Sequence, residues 1–360
     1  MDFRRLWDFR MLRIQTFLVR SNLRSIGPTD ESHAMPPIDS AKGPWSTLPD
    51  MKPTVVVLCS LALLISAGLV STQAASPIWT VPEKAARENP DFLIQGEYIQ
   101  SGKAFQVIAL GKGQFHASVY NGGLPGVGWD HSAIGQIRGN TATMKNLTQN
   151  AHRVLRQSPT LGAKAPANAT ILFDGTNADA WDHGKIDAGL LESGSQTIQE
   201  FGDFQLHLEF RLPFKPETTP GSQDRGNSGI YTFNRYETQV LDSFGLDLDI
   251  KAWKEKPQSD PKQWCGCLYK FKLADTNMCF PPLTWQTYDI TFTAPRFDGD
   301  KKTKNARITV VHNGVTIHDD VELPKGTGAG GNRKEIARGP IVLQGHGNPV
   351  RYRNIWIVER

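Results

Sequence analysis

Phe204 to Arg211 reads FQLHLEFR, and the reading of this stretch decides the fold. Successive side chains of an extended chain point to opposite faces. Leu206, Leu208 and Phe210 therefore share one face, while Gln205, His207, Glu209 and Arg211 share the other. One face is core and the other is polar. Glu209 and Arg211 stand two residues apart, so they can pair with each other or present an acceptor and a fork to a ligand.

Similar short runs recur to the end of the chain: ILFDG, GLLESG, GIYTF, YETQVLD, TYDITFTA, ARITVVHNG, VTIHDDVEL, PIVLQGHG and YRNIWIVE. Most alternate, and most are bounded by Gly, Pro, Asn or Asp. Long helical periods are absent. The pattern predicts an all-β jelly-roll β-sandwich of two curved sheets over residues 166–360.

Upstream, FQVIALG (Phe105–Gly111) and FHASVY (Phe115–Tyr120), separated by Gly-rich turns, predict a small β-rich N-terminal unit over residues 76–165. An Ala- and Pro-bearing stretch from Gln157 to Ala169 reads as the linker between them. At the other extreme, Met51 opens MKPTVVVLCSLALLISAGLVSTQA. Lys52 supplies a positive start, Val55 to Val70 an apolar run, and Thr72-Gln73-Ala74 a small-residue exit, the pattern of a secretory signal peptide at 51–74. The expectation is an exported protein, periplasmic or secreted, whose translation starts at Met51, so that residues 1–50 are not part of the natural protein. The run is short for a membrane span, and none is expected after cleavage.

The chain has 360 residues, 39% hydrophobic and 21% charged, with a net charge of +4. That is an ordinary soluble composition and makes no case for nucleic acid. Past the signal remain Cys265, Cys267 and Cys279. In an oxidising compartment one of the first two can close a loop onto Cys279. Zinc lacks a fourth ligand at finger-like spacing.

The stretch RGNSGIYTFNRYETQVLDSFG, Arg225 to Gly245, places carboxylates and amides in a predicted hairpin. With Asn234-Arg235 as a two-residue turn, Thr232 lies opposite Glu237 and Ile230 opposite Gln239, so Glu237 and Gln239 share a side. Asp242 falls on the other side unless a bulge brings it round. His346 sits between glycines in LQGHGN, and beyond it Arg351 and Arg353 share a face. Trp264, Trp285 and Tyr269 are core aromatics or sugar platforms. Each polar group has a plain structural alternative: a solvated face, an in-sheet Glu209–Arg211 pair, or Asn227 and Ser228 closing a turn. Asp174, Asp179 and Asp182 in LFDGTNADAWD form either a surface turn or a divalent-cation site; no cofactor is required by the sequence.

The motifs LFDGTNADAW, FGDFQLHLEFRLP, RGNSGIYTFNRYETQVLDS, WCGCLY, TWQTYDITFTAPRF and GPIVLQGHGNPVRYRNIWI, in this order, resemble the 3-keto-disaccharide hydrolase domain family from about Ala169 to the last residue. The resemblance implies a concanavalin A-like jelly-roll sandwich and a small carbohydrate substrate; whether a separate sugar 3-oxidoreductase acts upstream to make the ketone is open in the sequence. The region from QGEY to GGLPGVGW is similar to an extension found beside this domain in some relatives. The turn Phe233-Asn234-Arg235 departs from the Gly-rich tip that the family leads one to expect.

Laminarinase-type glucanases of this fold class carry E-x-D-x-E or E-x-D-x-x-E, whereas this chain reads Glu237-x-Gln239-x-x-Asp242, so a two-carboxylate displacement is not clearly available. A 3-keto sugar instead allows a base to take the C2 proton, an enolate to expel the C1 oxygen, and water to add. Expected catalytic residues are Glu237 and His346 as base and acid in either order, with Arg211 and Asn227 at the enolate oxygen. Glu209, Gln239, Asp242, Ser228, Tyr269 and Arg351 are expected to bind substrate. The alternatives are a non-catalytic lectin-like module and a laminarinase-like hydrolase acting on unoxidised glucan.

Overall fold

The computed structural model describes residues 76–248 and 259–360. The expected signal peptide and the expected start at Met51 lie outside the described residues. Among the described residues no helix is long and apolar enough to cross a membrane.

The N-terminal strands are β1 Gly96–Gln100, β2 Lys103–Gly111, β3 Gln114–Asn121, β4 Gly135–Asn140 and β5 His152–Val154. They form one antiparallel sheet in the order β4-β3-β2-β1-β5, accompanied by the short helices α1 Pro82–Glu88, α2 Pro90–Ile94 and α3 Thr141–Thr148. The next strands are β6 Thr170–Phe173, β7 Trp181–Asp182, β8 Ile186–Asp187, β9 Leu190–Glu192, β10 Ser195–Thr197, β11 Phe204–Arg211, β12 Ser228–Thr232 and β13 Tyr236–Val240. They continue with β14 Trp285–Thr293, β15 Arg296–Asp298, β16 Lys301–Lys304, β17 Ala306–His312, β18 Val315–Leu323, β19 Ile341–Leu343 and β20 Arg351–Glu359.

These later strands, apart from the small β15–β16 ribbon, build the jelly-roll sandwich. The larger sheet runs β18-β17-β14-β11-β20-β9-β8, with β6 also on β20, and the smaller runs β13-β12-β19-β10-β7. FQLHLEFR is β11, at the centre of the larger sheet. Its Leu206, Leu208 and Phe210 meet Ile230, Tyr236, Val240, Ile341 and Leu343 of the smaller sheet in one buried cluster. Each such side chain contributes roughly 1.5–3 kcal/mol on leaving water, and together they fix which face of each strand looks inward.

The β12–β13 hairpin differs from the sequence expectation by one residue. The central turn residues are Phe233 and Asn234, both at positive φ (57° and 55°), and Thr232 pairs with Tyr236, Tyr231 with Glu237 and Gly229 with Gln239. Phe233 accepts this costly backbone because its buried ring packs on Phe204 and Phe292 and its N–H bonds the Pro340 carbonyl. Core packing outweighs the preference of Asn-Arg for the turn centre.

The N-terminal sheet packs against the sandwich at several points. Trp79 bridges to Phe214, and Phe214 and Leu283 share an apolar cluster with Phe105, Val107 and Phe115. Ser118 Oγ donates to the Gly245 carbonyl at 2.6 Å, and Arg225 Nη2 donates to the Ala109 carbonyl at 3.1 Å. The strap from Ser158 to Ala163 crosses the outer face of the larger sheet, where Gly162 N–H bonds Glu209 at 2.6 Å.

Candidate active site

Because Tyr236 and Val240 point into the core, Glu237 and Gln239 point to the outer side of the smaller sheet. The free edge of β13 is covered by residues 266–269: Gln239 N–H bonds the Cys267 carbonyl at 3.0 Å and Tyr269 N–H bonds the Glu237 carbonyl at 3.1 Å. This pairing sets Tyr269, Glu237 and Tyr231 side by side on three neighbouring segments of the chain. One residue pair further along, Gln239 faces Gly229, and Gln344 N–H bonds the Gly229 carbonyl at 2.9 Å.

Gly229 is the floor of this arrangement. A Cβ there would stand 2.4 Å from Glu237 Oε1, so only glycine leaves room for the carboxylate to lie back across β12. Glu237 is 1% exposed, and its Oε2 has no hydrogen-bond partner among the described residues. Gln239 Oε1 and Gln344 Oε1 are likewise unpartnered. Unpaired buried acceptors are costly, and three around one glycine form a place suited to donor groups such as sugar hydroxyls.

Burial raises the Glu237 pKa to about 7, against the opposing hydrogen bond from Tyr231 and the charge of Lys270. Burial also raises Tyr231 and Tyr269 above the ordinary phenol value, so both stay protonated donors at neutral pH. Asn227 belongs to the same cluster: Gln239 Nε2 donates to its Oδ1 at 3.3 Å, and its own amide donates to the Gln223 carbonyl at 2.8 Å. His346 lies two residues past Gln344, exposed on the loop leaving β19, and its ring makes no hydrogen bond among the described residues.

Three expected site residues stand on the other side of the molecule. Glu209, Arg211 and Arg351 occupy the outer face of the larger sheet, a full sandwich thickness from Glu237, because the neighbouring Leu208 and Phe210 face the core. The expectation that they converge with Glu237 is corrected. The Glu209 carboxylate is filled by Gly162 N–H, Arg353 Nε at 2.6 Å and Asn354 Nδ2 at 2.9 Å. Although burial opposes it, these bonds and His207 hold Glu209 down to about 2. Arg211 stacks on Trp285 rather than pairing with Glu209, and Arg353 lies over the same ring at 4.0 Å. Arg351 pairs with Asp187 at 2.8 Å and Glu192 at 2.9 Å.

Two more are turned inward. Ser228 Oγ donates to the Gln344 carbonyl and accepts from Tyr352, both at 2.6 Å, inside the sandwich. Asp242 is 2% exposed and bound to Arg225 Nε at 2.7 Å, a buried ion pair that anchors the chain leaving β13. Both side chains are taken up by these buried partners, which corrects the expectation that they converge with Glu237.

Sequence reading missed Tyr231, Gln344 and Lys270. Tyr231 was recoverable from the hairpin with a three-residue loop, Phe233 to Arg235, which puts it directly opposite Glu237. Of the acidic trio, Asp174 is spent on Thr176, accepting from its N–H at 2.9 Å and its hydroxyl at 2.6 Å. Among the described residues no group of three acidic, His or Cys side chains is disposed to hold a metal ion.

Among solved structures, the chain is similar to a "putative glycosyl hydrolase" from Parabacteroides distasonis at 32% identity, covering 54% of this chain and 85% of that one, with a TM-score of 0.46. A second structure from the same organism, described in the same words, is 17% identical over 54% of this chain and 94% of that one, with a TM-score of 0.39. No curated protein matches. The model of the 3-keto-alpha-glucoside-1,2-lyase-like domain matches residues 168–358, from just before β6 to the end of β20. Spanning more than half of the chain and the sandwich that carries Glu237, this match makes the protein a member of that carbohydrate-active family.

Proposed function

We propose that the protein is exported and cleaves the glycosidic bond of 3-keto-glycosides or 3-keto-disaccharides over the outer face of the β12–β13 hairpin. The observation that carries this reading is the buried Glu237 carboxylate, with an unpartnered oxygen and a pKa raised to about 7. A group poised there accepts a proton at neutral pH and can return it.

Glu237 takes the proton from C2, which the neighbouring ketone acidifies. The electron pair left on C2 is delocalised onto the ketone oxygen, where phenol donors such as Tyr269 meet the developing charge. The enolate then re-forms the ketone with a C1–C2 double bond as the C1–O bond breaks, and the leaving oxygen receives a proton. Water adds its hydroxyl to C1 and a proton to C2, so the net change is hydrolysis. His346, on the loop beyond Gln344, is the proposed donor to the leaving oxygen. Gln239, Gln344 and Asn227 orient the ring through its hydroxyls. The ketone itself would come from a separate sugar oxidoreductase.

The test gives the protein a 3-keto-glucoside and the parent glucoside and follows release of the leaving alcohol. Turnover of the keto form alone, lost in Glu237→Gln, supports elimination. Equal turnover of both forms indicates direct displacement, and binding without release indicates a lectin-like module.

A further inference from the structure

The three buried thiols are not equivalent. Cys265 and Cys279, both buried free thiols, lie against the same inward face of β14. Cys265 Sγ lies 3.3 Å from the Tyr288 hydroxyl, and Gln286 Nε2 reaches Cys279 Sγ at 4.0 Å; these two β14 residues are neighbours on one side of the strand. Cys279 Sγ also approaches the Leu241 carbonyl at 3.6 Å, and Cys265 N–H bonds the Oγ of Ser243, two residues further on, at 3.2 Å. Burial holds the Cys279 thiol well above the ordinary range, and the nearby Cys265 sulfur adds to that rise. Cys267 looks elsewhere: its sulfur donates to the Pro261 carbonyl at 3.2 Å and accepts from Ala274 N–H at 3.4 Å.

We infer that Cys265 and Cys279 form a disulfide in the working protein and that Cys267 stays a thiol. The bond would close the loop that carries Tyr269 and Lys270 past Glu237, and so fix the covering strand on β13. A cross-link of this kind acts mainly by restricting the unfolded chain. Its formation needs an oxidant of the disulfide class, such as oxidised glutathione. One thiolate attacks a sulfur of the oxidant and expels the first reduced thiol; the second cysteine then attacks the mixed disulfide and expels the other. Two thiol hydrogens leave as protons and two electrons reduce the oxidant. Both sulfurs are buried after folding, so the exchange takes place while the chain is folding.

The experiment is independent of catalysis. The full chain is reduced, unfolded and refolded in a glutathione buffer, alkylated under denaturing conditions, and digested without reduction. The expected map shows one cross-linked peptide pair joining Cys265 to Cys279, with Cys267 and Cys59 alkylated. Thermal unfolding is then followed with and without reductant, which should lower the midpoint by several degrees. Cys267→Ser should keep both the cross-link and the response to reductant, whereas the Cys265→Ser, Cys279→Ser double variant should lose both. Complete alkylation of all cysteines in refolded, soluble wild-type protein, or a cross-link that includes Cys267, overturns the inference. Loss of turnover with the cross-link intact would count against the proposed chemistry and leave this pairing standing.

Discussion

Glu237→Gln separates a carboxylate poised near neutrality from one that merely sits in a fold. Burial raises this group from an ordinary 4.5 to about 7. The proton is therefore bound more tightly in the folded chain than in the unfolded one. Stability is fully present below about pH 4.5, falls as pH rises through the window to about 7, and is level above it. At about 1.4 kcal/mol per pH unit, the whole window corresponds to about 3 kcal/mol. Glutamine has nearly the same shape, so the space over Gly229 is respected, and it cannot titrate. Denaturant unfolding of wild type and variant at several pH values between about 4 and 8 gives the difference curve, from which every other ionisable group cancels. The variant should gain on the wild type by about 3 kcal/mol across that range while turnover falls by at least about a hundredfold, the usual contribution of a positioned base. Parallel stability curves would mean that Glu237 ionises like an exposed carboxylate, and the assignment of acid–base work to it would fail.

Gly229→Ala puts a methyl group 2.4 Å from Glu237 Oε1 and 3.1 Å from its Cδ, so the carboxylate must move. Turnover should drop at least about tenfold with a stability loss of roughly 1–3 kcal/mol, read by steady-state kinetics and denaturant unfolding. Arg211→Ala removes only a stacking contact with Trp285 on the opposite face, so turnover should stay within about twofold and stability fall by about 1 kcal/mol; a collapse of turnover would move the active face to the larger sheet. Asp242→Ala leaves Arg225 charged and buried without its partner and should cost about 3–5 kcal/mol in unfolding experiments, while the folded fraction keeps its activity.

The strands were legible because burial imposes a period of two, and each run named from the sequence in the sandwich is a strand of one of its two sheets. What alternation cannot say is which of two sheets a polar face belongs to. FQLHLEFR and YETQV each have one wet side, but the core lies between them, so their wet sides look in opposite directions. Glu209 and Glu237 were thus assigned to one site from sequence, as binding and catalytic residue, and are separated by the packing of Leu208 and Tyr236 against a common interior. The turn was misread for a similar reason. Phe233 holds positive φ because its ring is buried against Phe204 and Phe292, a tertiary contact that no local rule contains.

The two faces also show how the surroundings decide whether a carboxylate serves structure or chemistry. Glu209 is as buried as Glu237, but its oxygens meet Gly162 N–H, Arg353 and Asn354, and beside it His207 is held by Asp289 at 2.6 Å and stacked on Trp356. With its acceptor sites filled and its pKa lowered to about 2, it stays ionised and has no oxygen free for a substrate proton. It fastens the strap that links the N-terminal sheet to the sandwich. Glu237 has a phenol and a distant ammonium to stabilise its charge, one unpartnered oxygen, and amide oxygens as neighbours. The first environment spends the carboxylate on folding. The second leaves one oxygen unpartnered and the proton loosely enough held to be exchanged near neutral pH, the combination that an acid–base group requires.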